Sequence, residues 1–450
     1  MPSLPSAAEP LCMSFSLAFT EPTFQRALVL MIGAILSTGP RTVTHMLWTV
    51  RGLVRGHHSS YHRVFSRAAW SLWPLGKILT QAVLRQVPAD QPVRIPADDS
   101  VAEHKGRKVY GKGCHHDAVR SSHTHTVWRW GHKWVTLSIL VKFPFVSRPW
   151  ALPVLAALYR PEQLNRAEGR RHKTPAQLAR QLLAVLIHWF PDRKFILLGD
   201  GGYASHELAR FCHRHRRHAT LVSRCDPDAN LYDLPPARQA GESGRPRIKG
   251  QKRPTPKQGV ARRRKGPRAT VSWYGGTKRR VELISDTGQW YKSGQGLVPL
   301  RWVHVHDVQG THRDDYLYST DPNLKPAQIV SLFTGRWNIE TTFQEIRPRL
   351  GFETTRQRVA KSVLRTGPCL LGLFSVVCLI FAEHAKRHRI KIRRTAWYRK
   401  PEPTFSDALE TVRRLFWQQT IFARPSDHVG LQKLPGELRR LLLDQLSRAA

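Results

Sequence analysis

The order of apolar periods predicts an α/β protein: a core of mixed strands and helices, a helical region ahead of it and a β-strand insertion within it. Three observations carry this. Residues 1 to about 90 place apolar side chains at helical spacing. From about 91 to 228, β-rich runs alternate with helical ones. Between about 229 and 325 a stretch rich in Gly, Pro and cations gives way to short β-rich pieces, and helical periodicity then resumes.

In the first region Phe24, Leu28, Leu30, Met31 and Ile35 mark one helix. A second is expected from Thr42 and a third from Ser59 through Trp70. Arg, His and Ser beside aromatics there suit either a DNA-contacting domain or a packing bundle. Residues 92–97 then read as a strand that ends near Asp98, and 134–141 as a central, mostly apolar strand. A helix over 175–190, a strand over 195–199, a helix over 206–211 and a strand over 221–224 complete the alternation. Residues 241–270 hold eleven Lys or Arg and one Glu, which predicts solvated loop and, from its density of charge, a DNA-contacting arm that includes Arg262, Arg263, Arg264 and Lys265. Strand-like pieces follow at 269–274, 280–284, 299–306 and 315–319. A helical stretch starts near Pro326, an apolar helix spans 369–382, and a basic tail closes the chain. The expected division is 1–90 (helical), 91–228 (first part of the core), 229–325 (basic loop and β insertion), 326–385 (second part of the core) and 386–450 (tail).

The chain has 72 Lys and Arg against 32 Asp and Glu, a formal net charge of +40 in 450 residues. Such a surplus repels itself unless a polyanion compensates it, and nucleic acid does so. With 41% hydrophobic residues a real core can form, which excludes whole-chain disorder. The six cysteines are scattered without a C-x-x-C pair, against a zinc ribbon or disulfide scaffold and in favour of a reducing cytoplasm. His115, His116, His123 and His125 could ligate a metal but read as solvated loop histidines. No signal peptide is expected. The apolar run 369–382, about 14 residues, falls short of the roughly 20 that span a bilayer, so no membrane segment is expected.

Asp98, Asp200 and Glu340 stand out in so basic a chain. Two follow strand-like runs and one lies in a helical stretch. Phosphodiester cleavage needs an activated oxygen nucleophile and a stabilised leaving oxygen, and two divalent cations supply both. Magnesium takes oxygen ligands and few carboxylates, so three acidic side chains are a plausible protein share. In the third stretch Arg336, Glu340, Phe343 and Arg347 stand at i, i+4, i+7 and i+11, within about 60° on a helix. A metal-holding carboxylate would then share a stripe with phosphate-holding guanidiniums, although an ordinary surface Arg–Glu pair gives the same spacing. Pro348 is expected to end or kink that helix near Arg347. Alternation alone does not choose between Asp98 and Asp99. Gly199, Gly201 and Gly202 around Asp200 would let backbone approach a ligand closely.

Together these segments resemble the DDE transposases of bacterial insertion sequences, in particular the insertion-sequence-4-like group with its Y-(2)-R-(3)-E-(6)-K signature. That signature reads here Phe333, Arg336, Glu340 and Arg347, so Phe replaces Tyr and Arg replaces Lys; the ring and the cation are kept, the hydroxyl is not. Asp98 with Ser100 matches the group's first motif better than Asp99 does. Asp200, Gly202 and Tyr203 match its second. The resemblance implies a ribonuclease-H-like core and an insertion between Asp200 and Glu340. It further implies two Mg²⁺ ions (Mn²⁺ as a possible substitute) on Asp98, Asp200 and Glu340, and phosphate held by Arg336 and Arg347 beside Phe333. Trp273, Trp290 and Trp302 become candidates for stacking on a flipped base. The expected partners are double-stranded DNA, as terminal inverted repeats and target, and further copies of the chain, in a bacterial nucleoid. Two competing readings stand: a transposase-derived DNA-binding protein without catalysis, and a metal-dependent nuclease that cuts but does not join.

Overall fold

The computed structural model describes residues 2–117, 121, 124–237, 243–263, 265–393, 397, 399–423 and 433–448. Five helices come first: α1 (Glu9–Ser14), α2 (Glu21–Leu36), α3 (Val43–Thr49), α4 (His58–Ser66) and α5 (Leu72–Leu84). Thr42 caps α3 by accepting from the His45 N–H, which is why the periodic run starts there. The third expected helix stops at Ser66. Trp70 lies beyond it and donates its indole N–H back to the Val64 carbonyl at 2.6 Å.

Five strands form the centre: β1 (Val93–Glu103), β3 (Trp128–Val141), β4 (Trp150–Tyr159), β5 (Phe195–Leu198) and β6 (Ala219–Arg224), with the short β2 (Gly113–His116) beside the start of β3. β1 is antiparallel to β3 and β3 to β4, whereas β5 runs parallel to β1 and β6 to β5. The order β4-β3-β1-β5-β6 is a ribonuclease-H-like core. Helix α6 (Glu162–Ala167) and the longer α7 (Pro175–Trp189) precede β5, and α8 (His206–Arg214) links β5 to β6. Strand β1 does not end at Asp98. It runs on to Glu103 because β3 continues to supply backbone partners after β5 has stopped.

The insertion extends this sheet. β11 (Asp315–Ser319) pairs with β6, β10 (Gly296–Asp307) with β11, β9 (Lys278–Lys292) with β10, and both β7 (Leu231–Tyr232) and β8 (Arg268–Ser272) with β9. The stretch expected as loop contains α9 (Pro256–Arg263). The signal was a reciprocal cap: Thr255 and Gln258 exchange backbone-to-side-chain bonds, and Pro256 pre-sets the first turn.

Helices α10 (Pro326–Gly335) and α11 (Asn338–Arg349) follow, and α11 packs on β1 and β4. The apolar run 369–382 is the middle of α12 (Ala360–Ala385), a 26-residue helix. By length and composition it could cross a membrane. What makes it a core helix is its packing against β4, α4, α5 and α13 (Phe405–Phe416). The segment expected as a tail thus contributes to the core. Its α13 also packs on α2 and on α14 (Gly436–Ser447).

Candidate active site

Register places the first two carboxylates. β1 and β5 are paired from Val93↔Phe195 to Pro96↔Leu198. Asp98 and Asp200 each lie two residues past that last pair, on adjoining chains that run parallel about 4.8 Å apart. Past Leu198 the chain turns away: Asp200 caps a short 3-10 turn over Gly201–Tyr203, and its Oδ1 accepts from the Gly202 N–H at 2.9 Å.

Glu340 reaches the same place from α11. The Arg336 guanidinium donates through Nη1 to Asp98 Oδ2 at 2.9 Å and through Nη2 to Glu340 Oε1 at 3.0 Å. Asp200 is near enough for its charge to act on both Asp98 and Arg336. Two of the three acidic side chains singled out in the sequence therefore share one arginine, and the third, Asp200, lies within electrostatic reach of it. Arg336 itself stands at the joint of α10 and α11, in helical backbone but with i→i+3 bonds on either side. The buried Phe333 ring lies 5.9 Å from the guanidinium. As a core side chain with no polar atom, Phe333 seats Arg336 and offers phosphate no donor. Arg347 donates through Nη2 to Ser100 Oγ at 2.6 Å, and Pro348 sits in the last turn of α11 without ending it. Asp98 and Ser100, two residues apart, thus share the face that meets α11.

Asp99 belongs to the other face. It pairs with Lys133 Nζ at 2.7 Å and accepts from the Tyr203 hydroxyl at 3.3 Å. Geometry separates the two neighbours where alternation alone did not.

Burial pushes the Asp98 carboxyl up to about 7; Arg336 opposes this, and Asp99 and Asp200 add to it. Two carboxylates on one guanidinium, with a third within electrostatic reach, leave the site with surplus negative charge. The donors are all hard oxygens, which fits magnesium. Among the described residues no three His, Cys, Asp or Glu side chains stand as a ready-made metal cage. The guanidinium occupies the span between Asp98 and Glu340.

The three candidate tryptophans part company. Trp302 is 3% exposed, with Gly259 of α9 against its ring, and cannot meet a base. Trp290 is half-buried, edge-on to His206 at 5.0 Å and to Tyr318 at 5.7 Å. Trp273 lies on the turn after β8, 5.2 Å from Tyr274 and 5.4 Å from His312, and its indole N–H is buried without a hydrogen-bond partner. Tyr274, not singled out from the sequence, has its hydroxyl pKa raised first by burial and feels the charges of Asp315, Arg224, Arg336 and Glu340. The turn Trp273-Tyr274-Gly275-Gly276 therefore reaches the site. The consecutive Gly275 and Gly276 between β-rich runs, both at positive φ in the structure, were the available signal. In the basic stretch Arg262 and Lys265 are exposed, Arg263 is engaged by Asp286 and the Ser285 carbonyl, and Arg264 lies outside the described residues. His115 is a buried strand residue, His116 and His125 are exposed, and His123 lies outside the described residues.

A family model described as "DDE superfamily endonuclease" matches residues 14–280, more than half of the chain. The span includes Asp98 and Asp200 and stops short of Glu340. A solved structure of piggyBac transposase in a synaptic complex with hairpin DNA is similar at 11% identity and a TM-score of 0.40, covering 98% of this chain and 81% of that one. No curated protein matches.

Proposed function

Because the chain belongs to the DDE-superfamily endonucleases, we propose that it is a DNA transposase that cuts transposon ends and joins the freed 3′-hydroxyls to target DNA. The observation that carries this is the meeting of Asp98, Asp200 and Glu340 around Arg336 where β5 ends. We assign these three carboxylates to two Mg²⁺ ions, with Mn²⁺ able to substitute. When bound, the ions activate an oxygen nucleophile and stabilise the leaving oxygen. Arg336 and Arg347 hold backbone phosphate beside the reacting bond, and α11 keeps both in line with Asp98 and Ser100. Trp273, on the turn whose Tyr274 feels the charges of Arg336 and Glu340, stacks on a base drawn out of the duplex end. The N-terminal helices and the exposed Arg262 and Lys265 grip terminal inverted repeats, and copies of the chain bring two ends together in the nucleoid. Phe333, Arg336, Glu340 and Arg347 support an insertion-sequence-4-like assignment.

The family description names an endonuclease, which keeps cutting without joining as a second reading. End-labelled duplex carrying the terminal repeats, incubated with Mg²⁺ and target plasmid, separates the outcomes. Joined products are expected. Cut but unjoined ends would leave a nuclease, and binding without cutting a silent relative. Glu340→Gln is expected to keep end binding and lose cleavage; cleavage at the wild-type rate would remove Glu340 from the chemistry.

A further inference from the structure

Strand β3 begins Trp128-Arg129-Trp130, and both indoles are open to solvent, at 61% and 59% exposure. Large rings this exposed side by side are unusual for a folded surface. They stand two residues apart, hence on one face of the strand, about 6.7 Å apart along it. The neighbouring strand puts Cys114 opposite Trp130 and His116 opposite Trp128. The His116 ring lies 5.8 Å from the Trp128 ring, and Lys112 Nζ lies 5.5 Å from the Trp130 ring centre. Lys105, Arg107 and Lys108, on the connection from β1 to β2, are exposed.

The intervening Arg129 points to the opposite face and is buried there. It pairs with Glu103, Asp117 and Glu353. Glu103 and Asp117 are thereby held on the Arg129 side of the strand, Glu353 also bridges to Arg347 beside Ser100, and a cation, Lys112, sits against the Trp130 ring. The pairs Asp98↔Thr136, Ser100↔Trp134 and Ala102↔His132 show that even-numbered residues of β3 share a face with Asp98. Trp130 and Trp128 follow on that face, about 20 and 27 Å along the strand from the level of Asp98.

We propose that Trp128 and Trp130 form a stacking platform for unpaired DNA bases, an accessory single-strand site on the same face as the acidic cluster. The proposal rests on the DNA reading given above. Flat rings bordered by cations bind single strands with little sequence preference, because every base has a face to stack and every nucleotide a phosphate. The 6.7 Å spacing is about twice the 3.4 Å base rise of a stacked duplex, so the rings suit bases drawn apart rather than paired ones. Cutting one strand near Asp98 would free such bases within reach.

The test uses the full chain and two fluorescent probes, a 16-mer of deoxythymidine and a 16-bp duplex, read by anisotropy. Wild type is expected to bind both. The double variant Trp128→Ala/Trp130→Ala should bind the single strand at least tenfold more weakly and the duplex within twofold. Trp128→Phe/Trp130→Phe should recover single-strand binding to within about threefold. Duplex binding with no single-strand binding, or with single-strand affinity untouched by the alanines, overturns the platform alone. So does an equal loss on both probes, or a failure of the phenylalanines to restore. A shift of the alanine variant to a smaller species on gel filtration overturns it in favour of contact between copies. Wild-type binding to neither probe overturns the platform and the transposase reading together.

Discussion

Arg336 holds Asp98 at 2.9 Å while the same guanidinium holds Glu340 at 3.0 Å. One cation thus balances two carboxylates proposed to take metal, with a third, Asp200, within electrostatic reach. The arginine side chain is 11% exposed and Asp98 16%, so removing the guanidinium leaves Asp98 either charged and largely buried or driven to take up a proton, and leaves Glu340 without its partner. Arg336→Gln is expected to lower stability by about 1–3 kcal/mol in EDTA. Millimolar Ca²⁺ should restore more of the melting temperature in the variant than it adds to wild type. A variant as stable as wild type in EDTA, or indifferent to Ca²⁺, would show that the carboxylates do not need this counter-charge.

Asp98 and Asp99 are adjacent and chemically alike, yet they face different partners. Asp99→Asn should weaken the contacts with Lys133 and Tyr203 and cost about 1 kcal/mol of stability. Its DNA cleavage should stay within about threefold of wild type. Asp98→Asn should abolish cleavage with the fold intact. Single-turnover cleavage beside thermal melts reads both, and the reverse ranking would mean that the site lies on the Lys133 face.

The basic stretch was legible as charge but not as structure. Arg262 and Lys265 are exposed, whereas Arg263 is engaged by Asp286 at 3.2 Å and by the Ser285 carbonyl at 2.8 Å. If the two exposed cations each neutralise one phosphate, Arg262→Ala/Lys265→Ala should flatten the plot of log affinity against log salt by about 1.8. Arg263→Ala should instead lower stability. Equal slopes for wild type and the double variant would take this edge off the DNA path.

The alternation of apolar runs foretold the core strands and helices because their side chains are buried on regular periods. It could not foretell that β1 outruns β5, since register depends on where neighbouring strands stop. That stop decides where Asp98 and Asp200 come level. The third carboxylate was legible through the spacing of Arg336 and Glu340, but a pattern does not say whether such a pair faces water or two other acids. Trp302 and Trp273 read alike in sequence. One is covered by α9, which hides behind eleven cations, and the other stands on a turn within electrostatic reach of Arg336 and Glu340. The exposure of Trp128 and Trp130 is not legible in sequence, because a strand aromatic packs inward more often than it faces solvent.

Arg413 was invisible as a structural element. It is 1% exposed and has no acidic partner in its hydrogen-bond set; Nε donates to the Ile35 carbonyl at 2.7 Å, Nη2 to Ser37 at 2.8 Å and Nη1 to Arg448. It ties α13 to the carbonyl end of α2, where a cation also meets the helix dipole. Burial lowers its pKa to about 9. Arg413→Met should cost about 3 kcal/mol or more by leaving these carbonyls buried and unbonded. Arg414→Met, which breaks a more exposed contact with Asp444, should cost under about 1 kcal/mol. Equal effects in denaturant titrations would show that Arg413 is not the fastener.

His115 and His132, on β2 and β3, both have pKa values pushed down to about 4, chiefly by burial, with the charges of nearby Lys133, Lys112 and histidines adding to the shift. In the unfolded chain both titrate near 6.5. Between those values the unfolded state binds more protons than the folded one, so stability rises with pH across the window and is lost on acidification. The melting temperature is expected to fall as the pH drops from 7 to 5, with each ring contributing on the order of 1 kcal/mol after solvent screening. His115→Leu should flatten that fall by removing one of the two depressed groups, at little cost at high pH because its Nε2 has no hydrogen-bond partner to lose. The variant should match wild type at pH 7.5 and exceed it at pH 5. A wild-type protein that gains stability over this range would require both rings to be charged in the fold, against the burial seen for each.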